Sequence, residues 1–516
     1  MTLHPEKTRV VVVGAGMVGI RFAEELVRAD HDGRFEVLVL GEEAYEPYNR
    51  ILLTELVAGR ADLASLALAR PDGVTVRLAA RVEAIDREAR TVLVDGEAIP
   101  YDHLVLATGA QARVIRVPGL DGAPGEPLPG GVFVLRSVDD ARGITAAALN
   151  ARRAVVVGGG PLGVEAACGM RLRGVTVDVV SFAGHLLDRD LDPEPGRLLA
   201  ESVGDLGITF HGNAALAGVT HHGGRADAVV LDDGRTLPAD LVVLAAGAVP
   251  ETTLAARAGL EVAHGIVVGD DLATTVDPAV FAIGDCAQTP SGVSGLVAPG
   301  WEQARALARL LVHGELGDPV PVVLDGAAMR LKAAGVSLVA MGRKASTAAG
   351  GRVLTMSDPY ARRYVEVVLD GDELVGMTCL GAAELASSLS VQFGRPGIVP
   401  LDPLQLLAPN AGQADAAAGS PTTMPGSTTV CRCNGVTKRD LVKAWEGGAC
   451  SVEALATTTR ATTGCGGCSS LVRGICDWLQ TSDPEVPTDG TSEVVGSGAA
   501  ASHADALDRE PVVKGA

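Results

Sequence analysis

Two stretches of the chain carry the same order of apolar run, glycine turn and amphipathic segment. In RVVVVGAGMVGIRFAEEL an unbroken β-branched run leads into Gly14, Gly16 and Gly19. In RAVVVGGGPLGVEAACGM the order returns 144 residues later with Gly158, Gly160 and Gly163. Each copy is followed by a further apolar run, FEVLVLGE and VTVDVVSF. Unbroken valine runs predict strands buried on both faces, as in a parallel sheet. A GxGxxG turn after such a strand and before a helix lets the backbone approach a pyrophosphate, and the helix start offers it unpaired N–H groups. One copy alone is a weak signal; two in the same context predict two Rossmann-like nucleotide sites.

From about Val320 to Leu407 the period changes. RLKAAGVSLVAMG and RRYVEVVLDGDELVGMTCLG read as antiparallel strands, the latter turning at Asp370-Gly371-Asp372, and AAELASSLSVQFG reads as a helix. Residues 408–429 hold almost no large apolar side chain and read as a linker, whose coil span would be about 25 Å. Residues 430–480 form a small cysteine-bearing module, and residues 481–516 read as a polar, disordered tail.

Composition narrows the class. The chain has 516 residues, 47% of them apolar and only 3% aromatic, so aliphatic side chains must fill several cores. A formal charge of −20 argues against nucleic acid or an anionic membrane as partner, and no apolar run reaches the roughly 18–20 residues of a membrane span. The N-terminus enters a strand within ten residues with no signal-like apolar region, so cytoplasmic residence is expected. In a reducing compartment the nine cysteines are then expected as ligands or buried thiols. Cys168, Cys286, Cys379, Cys450 and Cys476 stand alone and read as small buried residues.

At the first nucleotide site Glu42 ends the second strand, where a carboxylate would bind a ribose; Glu43 is a one-residue rival. Downstream, one strand runs into Thr108-Gly109 and another into Gly284-Asp285. With the first glycine turn, these resemble the FAD signature of two-dinucleotide-binding-domain flavoproteins, the pyridine nucleotide-disulfide oxidoreductase superfamily. That resemblance implies that Asp285 meets the ribityl and phosphate region of FAD. It further implies that the helix of APGWEQARALARLL, started by Trp301 and Glu302, points its positive end at the isoalloxazine, and that Arg50 of EPYNRILLTEL lies along FAD. Thr54-Glu55 stands where related reductases often carry a lysine.

The second turn is expected to take NAD(P)H, with Glu165 matching a family glutamate near the nicotinamide–flavin junction. Ser181-Phe182 ends the next strand, where an acidic residue would select NADH and a nearby arginine NADPH, so coenzyme choice stays open. The flavin half has no CxxxxC pair and no cysteine between residues 40 and 60, so neither a disulfide-reductase nor a cysteine-peroxidase outlet is expected.

The remaining outlet is Cys431-x-Cys433 with Cys465-x-x-Cys468. Four thiolates at this spacing suit a [2Fe–2S] cluster, a zinc ion or redox thiols; Gly464, Gly466 and Gly467 leave room for N–H groups around the sulfurs. The stretch VCRCNGVTKRDLVKAW with TTRATTGCGGCSSLV resembles the helical bacterioferritin-associated-ferredoxin-type (BFD-like) [2Fe–2S] domain. Together with the flavoprotein half, residues 8–480 are similar to the N-terminal portion of NAD(P)H-dependent nitrite reductase large subunits and to the electron-transfer subunit of assimilatory nitrate reductases.

The resemblance implies an α/β fold of two Rossmann-like domains, a small α+β domain and a helical [2Fe–2S] domain. The expected bounds are 8–125 with 235–318 for FAD, 126–234 for NAD(P), 320–407 for the α+β unit and 430–480 for the cluster. The implied function is electron transfer from NAD(P)H through FAD and the cluster to a partner, a nitrate or nitrite reductase catalytic subunit. With no cysteine after Cys476, nitrite reduction by the chain itself is not expected. The alternatives are a general ferredoxin or rubredoxin-type reductase serving an oxygenase, a cluster-based redox or iron sensor, and a zinc-braced module on a plain NADH oxidase.

Overall fold

The computed structural model describes residues 7–120, 127–314, 328–333, 335–348, 350–393, 403–407, 421–422, 424–431, 434–464 and 466–482. The first valine run forms the strand Thr8–Val13 at the centre of a six-stranded sheet. It pairs in parallel with Phe35–Leu40 on one side and His103–Leu106 on the other. Val10, Val11 and Val12 have no exposed surface, which is why this strand carries no polar alternation. Asp277–Ala282 pairs with His103–Leu106, so the first domain is closed by chain from far downstream. The helices Met17–Ala29 and Val297–His313 pack against each other on this sheet.

The second valine run, Arg153–Val157, centres a five-stranded parallel sheet between Thr176–Val180 and Leu241–Leu244. Here the structure corrects a boundary. Leu241–Leu244, assigned from sequence to the FAD domain, lies in the NAD(P)-domain sheet between Arg153–Val157 and Val132–Val134. The strand Thr236–Pro238 likewise pairs with Arg225–Leu231 of that domain. An all-buried LVVL run looks the same in either sheet; only its pairing partner decides. The chain enters this domain through Ala110–Ala112 and leaves through Ala248–Pro250, and the two segments pair antiparallel.

Five antiparallel strands form the third unit, in the order Ala328–Leu331, Leu338–Gly342, Glu373–Leu380, Arg363–Asp370, Arg352–Asp358. Asp370 pairs with Glu373 across a turn whose Gly371 has φ +56°, and the helix Ala383–Gln392 covers the sheet. The module core is built from Leu441, Trp445, Leu455, Val472 and Ile475 on the helices Lys438–Glu446, Val452–Thr459 and Ser469–Ser482.

Two more expected bounds shift. Met424 and Thr428, placed in the linker, are buried in the module, where Lys438 Nζ donates to the Met424 carbonyl at 2.8 Å. The last helix runs to Ser482, two residues into the expected tail. Most of that tail and residues 408–420 lie outside the described residues. Among the described residues no helix is long and apolar enough to cross a membrane.

Candidate flavin and iron–sulfur site

The two glycine turns divide the work among their three glycines in the same way. Gly14 has φ +116°, and a β-carbon there would lie 2.2 Å from the Ala107 carbonyl oxygen. Gly19 packs on Gly14, its added β-carbon 2.1 Å from the Gly14 carbonyl oxygen, which holds helix against strand. Gly16 meets nothing within 4 Å and has no side-chain cap, so the helix start faces an open cradle. Gly158, with φ +130°, lies equally close to the Ala245 carbonyl oxygen, Gly163 packs on Gly158, and Gly160 is open. Both cradles fit a dinucleotide pyrophosphate.

One cleft of about 3920 Å³ runs past the first turn. Of the sequence-predicted residues, Gly14, Gly16, Glu42, Arg50, Thr108, Gly109, Glu165, Gly284, Asp285, Trp301, Glu302 and Cys468 line it. Gly19, Gly158, Gly160, Gly163, Ser181 and Cys431 do not. Ser181 is buried at the end of Thr176–Val180, its hydroxyl accepting from the Ala183 N–H at 3.2 Å, while Phe182 is 75% exposed.

The two glutamates differ in their partners. Glu43 is held by Arg50 and accepts from the Tyr48 hydroxyl at 2.7 Å. Glu42 keeps 67% of its side-chain surface exposed, with Arg81 at 3.4 Å, so its carboxylate is the less engaged of the two. Burial pushes the Tyr48 phenol well above its ordinary range, so it stays a donor. Arg50 also donates to the Arg136 carbonyl at 3.1 Å, and Arg136 pairs with Asp285 at 2.7 Å.

The helix expected to point at the flavin starts at Val297, four residues before Trp301. Trp301 sits inside its second turn, buried, donating its indole N–H to the Met17 carbonyl at 3.2 Å. The proline of APGW suits a first turn, so the start lies upstream of it. Glu302 pairs with Arg305 on the same helix.

Glu165 is 6% exposed. Its carboxylate accepts from the Thr54 hydroxyl at 2.7 Å and the Lys332 backbone N–H at 2.9 Å, with Lys332 Nζ at 3.8 Å. The cation beside this carboxylate comes from the α+β domain. Four groups that sequence reasoning missed, Arg136, Lys332, Asn49 and Asn434, make their contacts across long sequence separations, with no local motif to signal them.

Of the four candidate ligands, Cys433 and Cys465 lie outside the described residues. Cys431 and Cys468 are buried. The Thr462 N–H donates to Cys468 Sγ at 3.2 Å, and Asn434 Nδ2 lies 3.7 Å from Cys431 Sγ. Donors aimed at sulfur suit ligands that carry negative charge. Among the described residues, these donors are a backbone N–H two residues before Gly464 and an asparagine side chain. The lone cysteines differ: burial pushes the Cys168 thiol up to about 11 and Cys379 to about 12, so both stay protonated.

Residues 8–306 match the family described as pyridine nucleotide-disulphide oxidoreductase, and residues 429–478 match the BFD-like [2Fe-2S] binding domain. The chain belongs to the pyridine nucleotide-disulphide oxidoreductase family. Its cofactors are accordingly FAD, NAD(P)H and a [2Fe–2S] cluster. The chain is 35% identical to a nitrite reductase [NAD(P)H] large subunit of Klebsiella oxytoca, over 92% of this chain and 49% of the relative. It is 31% identical to an assimilatory nitrate reductase electron transfer subunit of Bacillus subtilis, over 93% and 61%. A ferredoxin reductase from Rhodopseudomonas palustris superposes with a TM-score of 0.66 at 29% identity, over 77% of this chain and 98% of that one. The chain thus spans about half to three fifths of the length of the two nitrogen-oxide relatives.

Proposed function

We propose that this chain is an NAD(P)H-dependent electron-transfer flavoprotein that hands single electrons to a separate catalytic subunit of nitrate or nitrite reduction. The observation carrying this reading is the continuous cleft that, among the described residues, extends from the FAD-signature residues to Cys468. When bound, NAD(P)H supplies a hydride, FAD converts the pair into single electrons, and the cluster carries them one at a time.

The residues divide the work by position. Gly14, Gly16, Gly19, Glu42, Arg50, Thr108, Gly109, Gly284, Asp285, Trp301 and Glu302 would hold FAD. Gly158, Gly160, Gly163 and Ser181 would hold the nicotinamide nucleotide, and Glu165 would orient the junction between the two. Cys431, Cys433, Cys465 and Cys468 would ligate the cluster. Cytoplasmic residence belongs to this proposal, as does the partner.

Iron and acid-labile sulfide analysis, followed by reduction with NADH and NADPH, tests the route. Flavin bleaching followed by a reduced-cluster electron paramagnetic resonance signal is expected; zinc without iron would overturn it. Capture of the native partner, assayed with nitrate and nitrite, identifies the acceptor. The likeness to a ferredoxin reductase favours one second reading, in which the acceptor is a small carrier protein; the same capture separates the two.

A further inference from the structure

The cluster-bearing module is seated against the flavin domain through a buried polar contact, and one side chain belongs to both sides of it. Asn49, 2% exposed, stands immediately before Arg50. Its Oδ1 accepts from the Ile51 N–H at 3.0 Å, fixing the turn that carries Arg50. Its Nδ2 donates to the carbonyls of Thr463 and Gly464 at 2.9 and 3.0 Å, the two residues just before Cys465. Asn434, 7% exposed, ties the same loop to the other cysteine pair through the Arg460 carbonyl at 2.7 Å, and its Oδ1 faces Arg21 of the flavin domain at 3.5 Å. Glu24, one helical turn further along, binds Arg460 with Nε at 2.6 Å.

We propose that this contact is the junction for electron transfer from flavin to cluster, with Asn49 as its positioning residue. The inference rests on the proposed function and names where its internal step takes place. Buried amides that satisfy backbone carbonyls on a second domain are costly to separate, because each partner would lose a hydrogen bond out of reach of water. A tether alone would leave the cluster at variable distance from the flavin; the Asn49 amide on the Thr463–Gly464 loop and the Arg21–Asn434 contact seat the module against the flavin domain. The hydride brings two electrons. Each passage across the junction would take one electron from the reduced flavin and place it on the cluster. The flavin proton returns to solvent, and a one-electron acceptor protein reoxidises the cluster between passages.

Asn49→Asp tests this, because the carboxylate keeps the Ile51 cap but meets two carbonyls instead of donating to them. Glu24→Lys attacks the far side of the junction without touching the Asn49 turn. In stopped-flow work on the full chain, both variants are expected to slow flavin-to-cluster transfer by about tenfold, the loss that ~1.4 kcal/mol of positioning represents. Hydrogen exchange over residues 460–464 is expected to rise in both. Normal transfer and normal exchange in both variants would overturn the junction. Failure of the wild-type cluster to accept electrons from NAD(P)H at all would instead overturn the proposed function.

Discussion

Lys332 Nζ lies 3.8 Å from the Glu165 carboxylate, two side chains from different domains meeting in the wall of the same cleft. The carboxylate is nearly sealed from water and is held by the Thr54 hydroxyl and the Lys332 backbone N–H, with the Lys332 ammonium beside it. Lys332→Met is expected to destabilise the chain by about 1–3 kcal/mol, since it removes the cation beside a buried carboxylate. Thermal denaturation reads that loss. Slower flavin reduction by NAD(P)H should accompany it; an unchanged rate with lowered stability would leave Lys332 a merely structural residue.

Cys468→Ser separates the two halves of the proposed route. Reduction of the flavin by NAD(P)H should persist, while the iron content and reduction of any protein acceptor fall to background. Acceptor reduction that survives in a variant without iron would take the cluster off the path.

The second glycine turn gives a paired prediction. A β-carbon at Gly163 would lie 2.1 Å from the Gly158 carbonyl oxygen, so Gly163→Ala must open the turn, and reduced yield or melting temperature is expected. Gly160→Ala meets nothing in the protein and should fold normally. Its methyl would instead stand in the cradle and raise the KM for NAD(P)H by about tenfold, the effect of ~1.4 kcal/mol. Titration of both variants with coenzyme checks the contrast.

Glu366 offers a pH test away from the cleft. It is 4% exposed and accepts from the Tyr364 hydroxyl at 2.7 Å, and burial raises its carboxyl above the ordinary value of 4.5. A raised acid favours the protonated fold. Its stabilising contribution is complete below 4.5 and is lost as pH rises through the elevated value. Glu366→Gln keeps an acceptor for Tyr364 and carries no charge. Its melting temperature should match wild type in acid and exceed it at neutral pH; a variant less stable at neutral pH would contradict this.

The glycine turns and buried strands were legible because their reasons are local. A positive φ, a close helix–strand approach and an open helix start each belong to a single residue within a short run. The Leu241–Leu244 strand was misassigned because burial on both faces erases the pattern that tells one sheet from another. Asn49 and Thr463 are 414 residues apart, and Thr54 and Glu165 are 111 apart. Such contacts follow from how domains dock, which no run of sequence encodes. The cysteine spacing indicated the cluster module, while Asn434, one residue after Cys433, gave no sign that it would bind the opposite loop.

The insertion of one domain into another also sets a timetable for synthesis. The strand His103–Leu106 has no neighbour on its outer side until Asp277–Ala282 is made. At ribosomal rates that wait is on the order of ten to thirty seconds. The NAD(P) domain is contiguous between its entry and exit strands, so it can complete its sheet first, while the N-terminal sheet waits with an unpaired edge. Until Asp277–Ala282 emerges, the nascent chain therefore exposes the strand edge of its oldest domain, while the later-made NAD(P) domain can already be closed.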